Sequence, residues 1–246
     1  MKVHFNESLA SYNLSNNRIN LMLNGDTKAL HMGTFEKLWD ALCGLFRSEK
    51  QSESREALFE LMNPPVVEYV NTRGHAVNSG IRPQYFSGAQ EKDWPEVEKF
   101  THCLDAFNLL KEYAIKPDTM VAKCSITPEY KLNVSFLINN KEVCTRELQL
   151  SMNEKGGIDL TNAYLPGVDL SDLVLSDADM RNANMINANL NGANMFNANL
   201  KSADMTGSTM NKTNLCCAKM DYARGANLGG AITDDNLPKN LKKFGV

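Results

Sequence analysis

The chain has 246 residues, 43% of them hydrophobic and 22% charged, with a formal net charge of −3. A chain of this length buries a core without help from metal or disulfides, and its small charge, divided almost evenly between the two halves, excludes nucleic-acid binding by bulk electrostatics. The six cysteines form no CxxC pair and no apolar run reaches the roughly 18 residues of a spanning helix, so reduced thiols and a soluble fold are expected.

In chain order, Val3-His4-Phe5 reads as a strand, and the stretch Ile19, Leu21, Met22, Leu23 is compatible with a helix. A stronger helix is predicted from Thr34 to Phe46, where Phe35, Leu38, Trp39, Leu42, Leu45 and Phe46 recur at helical spacing behind a Thr34 N-cap. Charged Ser48 to Glu56 reads as a hinge or exposed turn before apolar Ala57 to Met62, and Pro64-Pro65 ends that helix. Polar Thr72 to Lys92 reads as a surface loop. Asp93-Trp94-Pro95-Glu96 then opens a helix with Asp93 as cap and Glu96 completing a capping box, its buried stripe being Val97, Phe100, Leu104, Phe107 and Leu110. From Tyr130 to Leu150 apolar residues alternate around Asn139-Asn140-Lys141, which predicts a hairpin with Val134, Phe136 and Ile138 on one strand and Val143 on the other.

Beyond Glu154 there is no glutamate, and a period of five begins. Large apolar residues stand at Leu160, Leu165, Leu170, Leu175, Met180, Met185, Leu190, Met195, Leu200, Met205, Met210, Leu215 and Met220 without insertion. The residue two before each is small or medium, and is always alanine from Ala178 to Ala203. Between them stands Asp or Asn in most repeats. Five fits neither an α-helix nor a strand, so these side chains share one interior only if the backbone turns at regular intervals. The solution is a coil.

The text A-[DN]-[LM]-x-x, as in ANMIN, ANLNG and ANMFN, resembles the pentapeptide-repeat family. That resemblance implies a short right-handed quadrilateral β-helix, four repeats to a coil, with Leu or Met and the small residue pointing inward, behind an amino-terminal domain whose elements read as α+β. The organisation expected is an α+β domain over residues 1–150, the β-helix over 151–236 and a tail or cap over 237–246. Residues 20 apart then stack in columns: Arg181, Lys201 and Asp221; Ser176, Phe196 and Cys216; Pro166, Ile186 and Thr206. Arg181, Ile186, Phe196 and Lys201 are the candidate partner-binding face, with Ile186 and Phe196 expected at the surface.

Arg18 to Met62, with Arg18-Ile19-Asn20-Leu21-Met22, Ala29-Leu30-His31-Met32-Gly33 and Phe35-Glu36-Lys37-Leu38-Trp39, resembles the amino-terminal region of SopD-type type III secreted effectors. Leu137-Ile138-Asn139-Asn140-Lys141 resembles the hairpin of that group, and pairing with pentapeptide repeats is similar to the EspY and PipB groups. The resemblance implies export by a needle apparatus into the host cell cytoplasm, a secretion chaperone and a host protein as partners, and translocation information in Phe35, Glu36, Lys37, Leu38, Trp39, Leu42 and Phe46. Phe35 and Ala41-Leu42 depart from the aromatic residues of the translocation motif. The same amphipathic stretch is also a candidate for peripheral membrane contact.

No phosphate loop, HExxH or GxSxG occurs. Neighbours on a helix point about 100° apart, so His102-Cys103 is not a nucleophile and base pair; Cys103 reads as a core thiol, and Cys216-Cys217 lacks a basic neighbour to activate it. No cofactor, metal or nucleic acid is expected, and the reading is a non-catalytic interaction or targeting platform. Two alternatives stand beside it: a DNA-mimicking protein acting on a topoisomerase, which needs a strongly acidic face, and a host-modifying enzyme with a site in Thr72 to Lys92.

Overall fold

The computed structural model describes residues 34–64, 85–90 and 93–234. The strand at Val3 to Phe5, the helix around Ile19 to Leu23, most of Thr72 to Lys92 and the 237–246 tail lie outside the described residues.

Helix α1 spans Thr34–Leu42 and runs into a 3-10 turn, Cys43–Leu45. Its spacing delivers Leu38, Trp39, Leu42 and Phe46 to the core, where the Trp39 and Phe46 rings stack at 5.9 Å. The stretch read as a hinge is instead helical. A 3-10 turn at Ser48–Lys50 leads into α2, Gln51–Met62. Ser54, Ala57, Leu58, Leu61 and Met62 form one buried stripe at helical spacing. The charges around Ser54 misled because Ser54 itself points inward, its hydroxyl donating to Lys50 O at 2.7 Å.

Helix α3, Trp94–Tyr113, carries Pro95 in its first turn and buries the predicted stripe. The capping box is not formed: the Asp93 side chain makes no cap bond, and Glu96 reaches Lys99 at 2.6 Å instead. Three strands follow, β1 Met120–Ile126, β2 Lys131–Ile138 and β3 Lys141–Gln149. Asn139 and Asn140 both take positive φ, 51° and 60°, as a two-residue hairpin turn requires. Leu132, Val134, Phe136 and Ile138 face inward, and Phe136 meets Phe107 of α3 at 5.0 Å.

The continuous sheet is short, mixed and open, in the order β3-β2-β1-β4, where β4 is Val168–Asp169 and pairs parallel with β1. β4 already belongs to the repeats, so the front sheet runs on into the coil: Asp169 bridges Asn189, and Asn189 bridges Thr209. Other junction bonds run from Ser87 N to Thr161 O at 2.8 Å and from Asn108 Nδ2 to Pro166 O at 3.0 Å. These contacts cover the first coil, whose backbone edge is otherwise unpaired.

In the repeats, parallel bridges join residues 20 apart from Asp159↔Asp179 to Asp204↔Arg224, and every five-residue unit contains a turn. All thirteen Leu and Met positions from Leu160 to Met220 are buried, as are the alanines from Ala178 to Ala203. The Asp or Asn between them folds its side chain back, as Asn184 Oδ1 accepts Ile186 N at 3.1 Å, and links coils, as Asn189 Nδ2 donates to Asp169 Oδ1 at 2.8 Å. Two residues after each Leu or Met the backbone is left-handed, from Asn162 through Asn182 and Asn197 to Tyr222. Asn, Asp and Gly fill the first eight such positions because they tolerate that conformation.

The register break at Gly225 to Leu228 shortens the last coil by two residues, so Asn214 bridges Ile232. Leu228 takes the inward position. Gly225 is required there: a Cβ would lie 2.3 Å from Thr206 Cα.

Candidate interaction surface

Four repeats per coil give the stack four sides and four corners. The first side is centred on Leu160, Met180, Leu200 and Met220, and displays Asp159, Asp179, Asn199 and Lys219 outward. The second displays Tyr164, Asn184, Asp204 and Arg224; the third Asp169, Asn189 and Thr209; the fourth Val174, Asn194, Asn214 and Ile232.

The four residues expected to form one face are spread over three corners. Arg181 and Lys201 share the exposed corner between the first and second sides. Phe196, 44% exposed, stands at the other edge of the first side, and Ile186 is half-buried one corner beyond Arg181. The first side is thus bordered by Phe196 on one edge and by the basic pair on the other. Ile186 belongs elsewhere.

The turn Met152 to Lys155 overhangs this side and walls a cleft of about 500 Å³ with Asp177, Asp179, Arg181, Asn197, Asn199 and Lys219. Sequence reading missed this cleft because the turn reaches it only through the fold: Met152 bridges Ile158, and Asn153 Nδ2 donates to Asp177 O at 2.7 Å. Arg181 is already engaged, its Nε donating to both Asp179 oxygens at 2.8 and 3.0 Å and its Nη2 lying 2.7 Å from Oδ2. Lys201 lies 5.8 Å from the Tyr222 ring centroid, a cation over an exposed aromatic face. The column from Asp159 to Lys219 changes sign along the stack, and no side of it is uniformly acidic. That distribution does not resemble duplex phosphates.

In the front domain, Leu38, Trp39, Leu42 and Phe46 are core side chains, while Phe35 and Glu36 are half-buried and Lys37 is exposed. Phe35 packs edge-on against Phe59 at 5.3 Å, and Arg55 pairs with Glu36. A bilayer reaches the apolar stripe of α1 only if that helix leaves the core.

His102 is exposed and Cys103 fully buried, so the neighbours face apart. The Cys103 thiol lies 3.4 Å from Leu61 O and accepts Arg146 Nε at 3.1 Å; burial pushes its pKa up and Arg146 opposes that rise. Cys217 is exposed, but a hydrogen bond to Asp234 holds its proton on.

A family model described as pentapeptide repeats matches residues 157–192 and 193–232 in eight copies. Protein YabP of Escherichia coli (strain K12) is 36% identical over 161 residues, which cover 63% of this chain and 68% of that protein. Among solved structures, HetL of Nostoc sp. strain PCC 7120, a pentapeptide-repeat protein involved in heterocyst differentiation regulation, matches at 28% identity and a TM-score of 0.24, covering 32% of this chain and 46% of its own. A trypsin-treated form of QnrB1, a plasmid-mediated fluoroquinolone resistance protein, matches at 20% identity and a TM-score of 0.22, covering 34% and 44%. The chain spans about half the length of these solved structures. The match to YabP is longer than the repeat region itself, and with the repeat model it identifies the chain as a pentapeptide-repeat protein that belongs to the family of Escherichia coli protein YabP.

Proposed function

We propose that the repeats form a right-handed quadrilateral β-helix that serves as a non-catalytic protein-interaction platform, with the first side as its contact surface. The observation that carries this reading is the cleft of about 500 Å³ under the Met152 to Lys155 turn, flanked by exposed Phe196 and by the Arg181 and Lys201 corner. The floor of the cleft is rigid, because every side chain that points the other way is packed in the coil interior and consecutive coils are bonded through their backbones. A rigid surface binds with little ordering cost. The charges within it suit recognition by charge pattern, which governs on-rate and selectivity.

Affinity capture with the full-length chain, run against bacterial and host-cell lysates, tests the platform. A partner retained by the wild-type chain and lost with Arg181→Glu or Lys219→Glu is the expected result. Capture indifferent to both substitutions removes the first side as the contact. The hand of the coil is read directly from a crystal structure.

Delivery into a host cell rests on the resemblance of Arg18 to Met62 to type III effectors. A reporter fused to residues 1–60 that stays in a bacterium with an active needle apparatus sinks that part of the reading, and leaves the platform untouched.

A further inference from the structure

The fourth side differs in chemistry from the first two. Its outward column reads Val174, Asn194, Asn214, Ile232, joined coil to coil by parallel bridges. Neither that column nor the Ser176, Phe196, Cys216 column along its edge contains a formal charge. Val174 is 74% exposed and Ile232 54% exposed. Val174 stands where most other repeats place Asp or Asn, and Leu173 where most place alanine. A surface that loses its charges while gaining exposed apolar groups has the composition of an interface core.

The order apolar, Asn, Asn, apolar reads the same from both ends. We propose that this side is the contact through which two copies of the chain pair face to face and antiparallel. The two-fold axis runs along the strand direction between Asn194 and Asn214. It sets Val174 against Ile232 of the second copy, Asn194 against its Asn214, and Phe196 against its Cys216. Each contact then occurs twice, as an isologous interface requires.

Hydrogen-bonding capacity supports the same pairing. Asn194 Oδ1 already accepts Asn214 Nδ2 at 3.0 Å and Phe196 N at 3.2 Å, and none of the described bonds uses Asn194 Nδ2. Asn214 Oδ1 accepts Cys216 N at 3.1 Å, which leaves a second lone pair. The spare donor of Asn194 therefore faces the spare acceptor of Asn214 in the other copy. Because neither column is charged, self-pairing brings no like charges together within these two columns.

Shape agrees at the ends. A groove of about 510 Å³ lies at the first-coil end, lined among others by Ile126, Pro128, Tyr130, Asp172, Leu173 and Val174. The exposed apolar group at the opposite end is Ile232, about three coil spacings or roughly 14 Å away. Antiparallel pairing seats each Ile232 in the groove of the other copy.

Sedimentation of the full-length chain over a concentration series tests this. The wild type is expected to be dimeric. Val174→Asp alone and Ile232→Lys alone each weaken the dimer at least tenfold, and combining them restores it, because antiparallel pairing places the new acid against the new base. Both sites are exposed, so the variants keep the wild-type circular dichroism, and Arg181→Glu on the first side leaves the dimer unchanged. A monomeric wild type, or a dimer indifferent to both single changes, overturns the proposal; so does a double variant that stays dissociated, or a fourth side that captures a different protein while the chain remains monomeric.

Discussion

The Tyr164 hydroxyl donates to Asp105 Oδ1 at 2.5 Å, joining the first coil to α3 across the junction between front domain and repeats. Tyr164 occupies a position that is Asn or Asp in most later repeats, and its ring lies 4.9 Å from that of Tyr85. The departure from the repeat is a docking contact.

Burial, and then the Asp105 carboxylate, hold the Tyr164 proton on above its ordinary range. A folded-state pKa raised above the unfolded value contributes stability that is complete below about pH 10 and is lost as pH rises through the folded value. Tyr164→Phe is therefore expected to cost about 1 kcal/mol at neutral pH. It also flattens the alkaline loss of stability attributable to this residue. Urea unfolding at neutral pH and above pH 10 checks both; equal alkaline slopes for the two chains contradict the assignment.

Left-handed backbone supplies a second prediction. Lys212 and Tyr222 hold φ of 60°, which costs an ordinary side chain about 1 kcal/mol relative to Asn or Gly. Lys212→Gly and Tyr222→Asn should each raise stability by up to about 1 kcal/mol, while Asn187→Val, at φ 57°, should lower it by about 1–2 kcal/mol. Thermal denaturation measures all three, and a stabilising Asn187→Val contradicts the account.

The repeat was legible because five-residue spacing leaves one geometrical solution for thirteen inward side chains. The left-handed positions went unread, because Asn162, Gly167, Asp172, Asp177, Asn182, Asn187, Gly192 and Asn197 occupy the last place of their repeats, a place read as unconstrained although Asn, Asp and Gly there signal positive φ. Gln51 to Glu56 was obscured because its one buried residue is a serine, so local charge outweighed a helical stripe completed only by Ala57 and Leu58. β4 was beyond reach from sequence: two residues inside the repeat become a strand because β1 lies beside them. Arg181, Ile186, Phe196 and Lys201 fall on three corners and not on one face for a geometrical reason, as columns were read singly and the corner between neighbouring sides was not counted.

Interior volume gives a third prediction. Ala178, Ala198 and Ala218 share one inward column and are almost fully buried. Ala198→Leu forces extra methylenes between coils and should cost about 1–3 kcal/mol, whereas Met195→Leu keeps volume and should cost under about 1.5 kcal/mol. Chemical denaturation ranks the two. If Ala198→Leu proves the milder, the tube is wider than its packing indicates.

Thiol reactivity separates the two halves of the molecule. Cys43, Cys103, Cys124 and Cys144 are buried, and burial raises all four, Cys144 to about 12, so none supplies thiolate at neutral pH. Native-state alkylation should therefore modify Cys217 and, where the chain is dilute enough for paired copies to separate, Cys216. Of these, Cys217 is slowed first by its hydrogen bond to Asp234, and Asp234→Asn should speed its labelling. Arg146 guards the other end, because its Nη2 donates to Leu61 O at 2.9 Å and its Nε to the Cys103 sulfur. Arg146→Ala leaves that carbonyl without this donor, should cost about 2 kcal/mol, and should expose Cys103 to slow labelling through local opening around the end of α2. Mass spectrometry of time-resolved alkylation distinguishes these sites, and native labelling of Cys103 as fast as that of Cys216 would show that α2, α3 and β3 do not close over it.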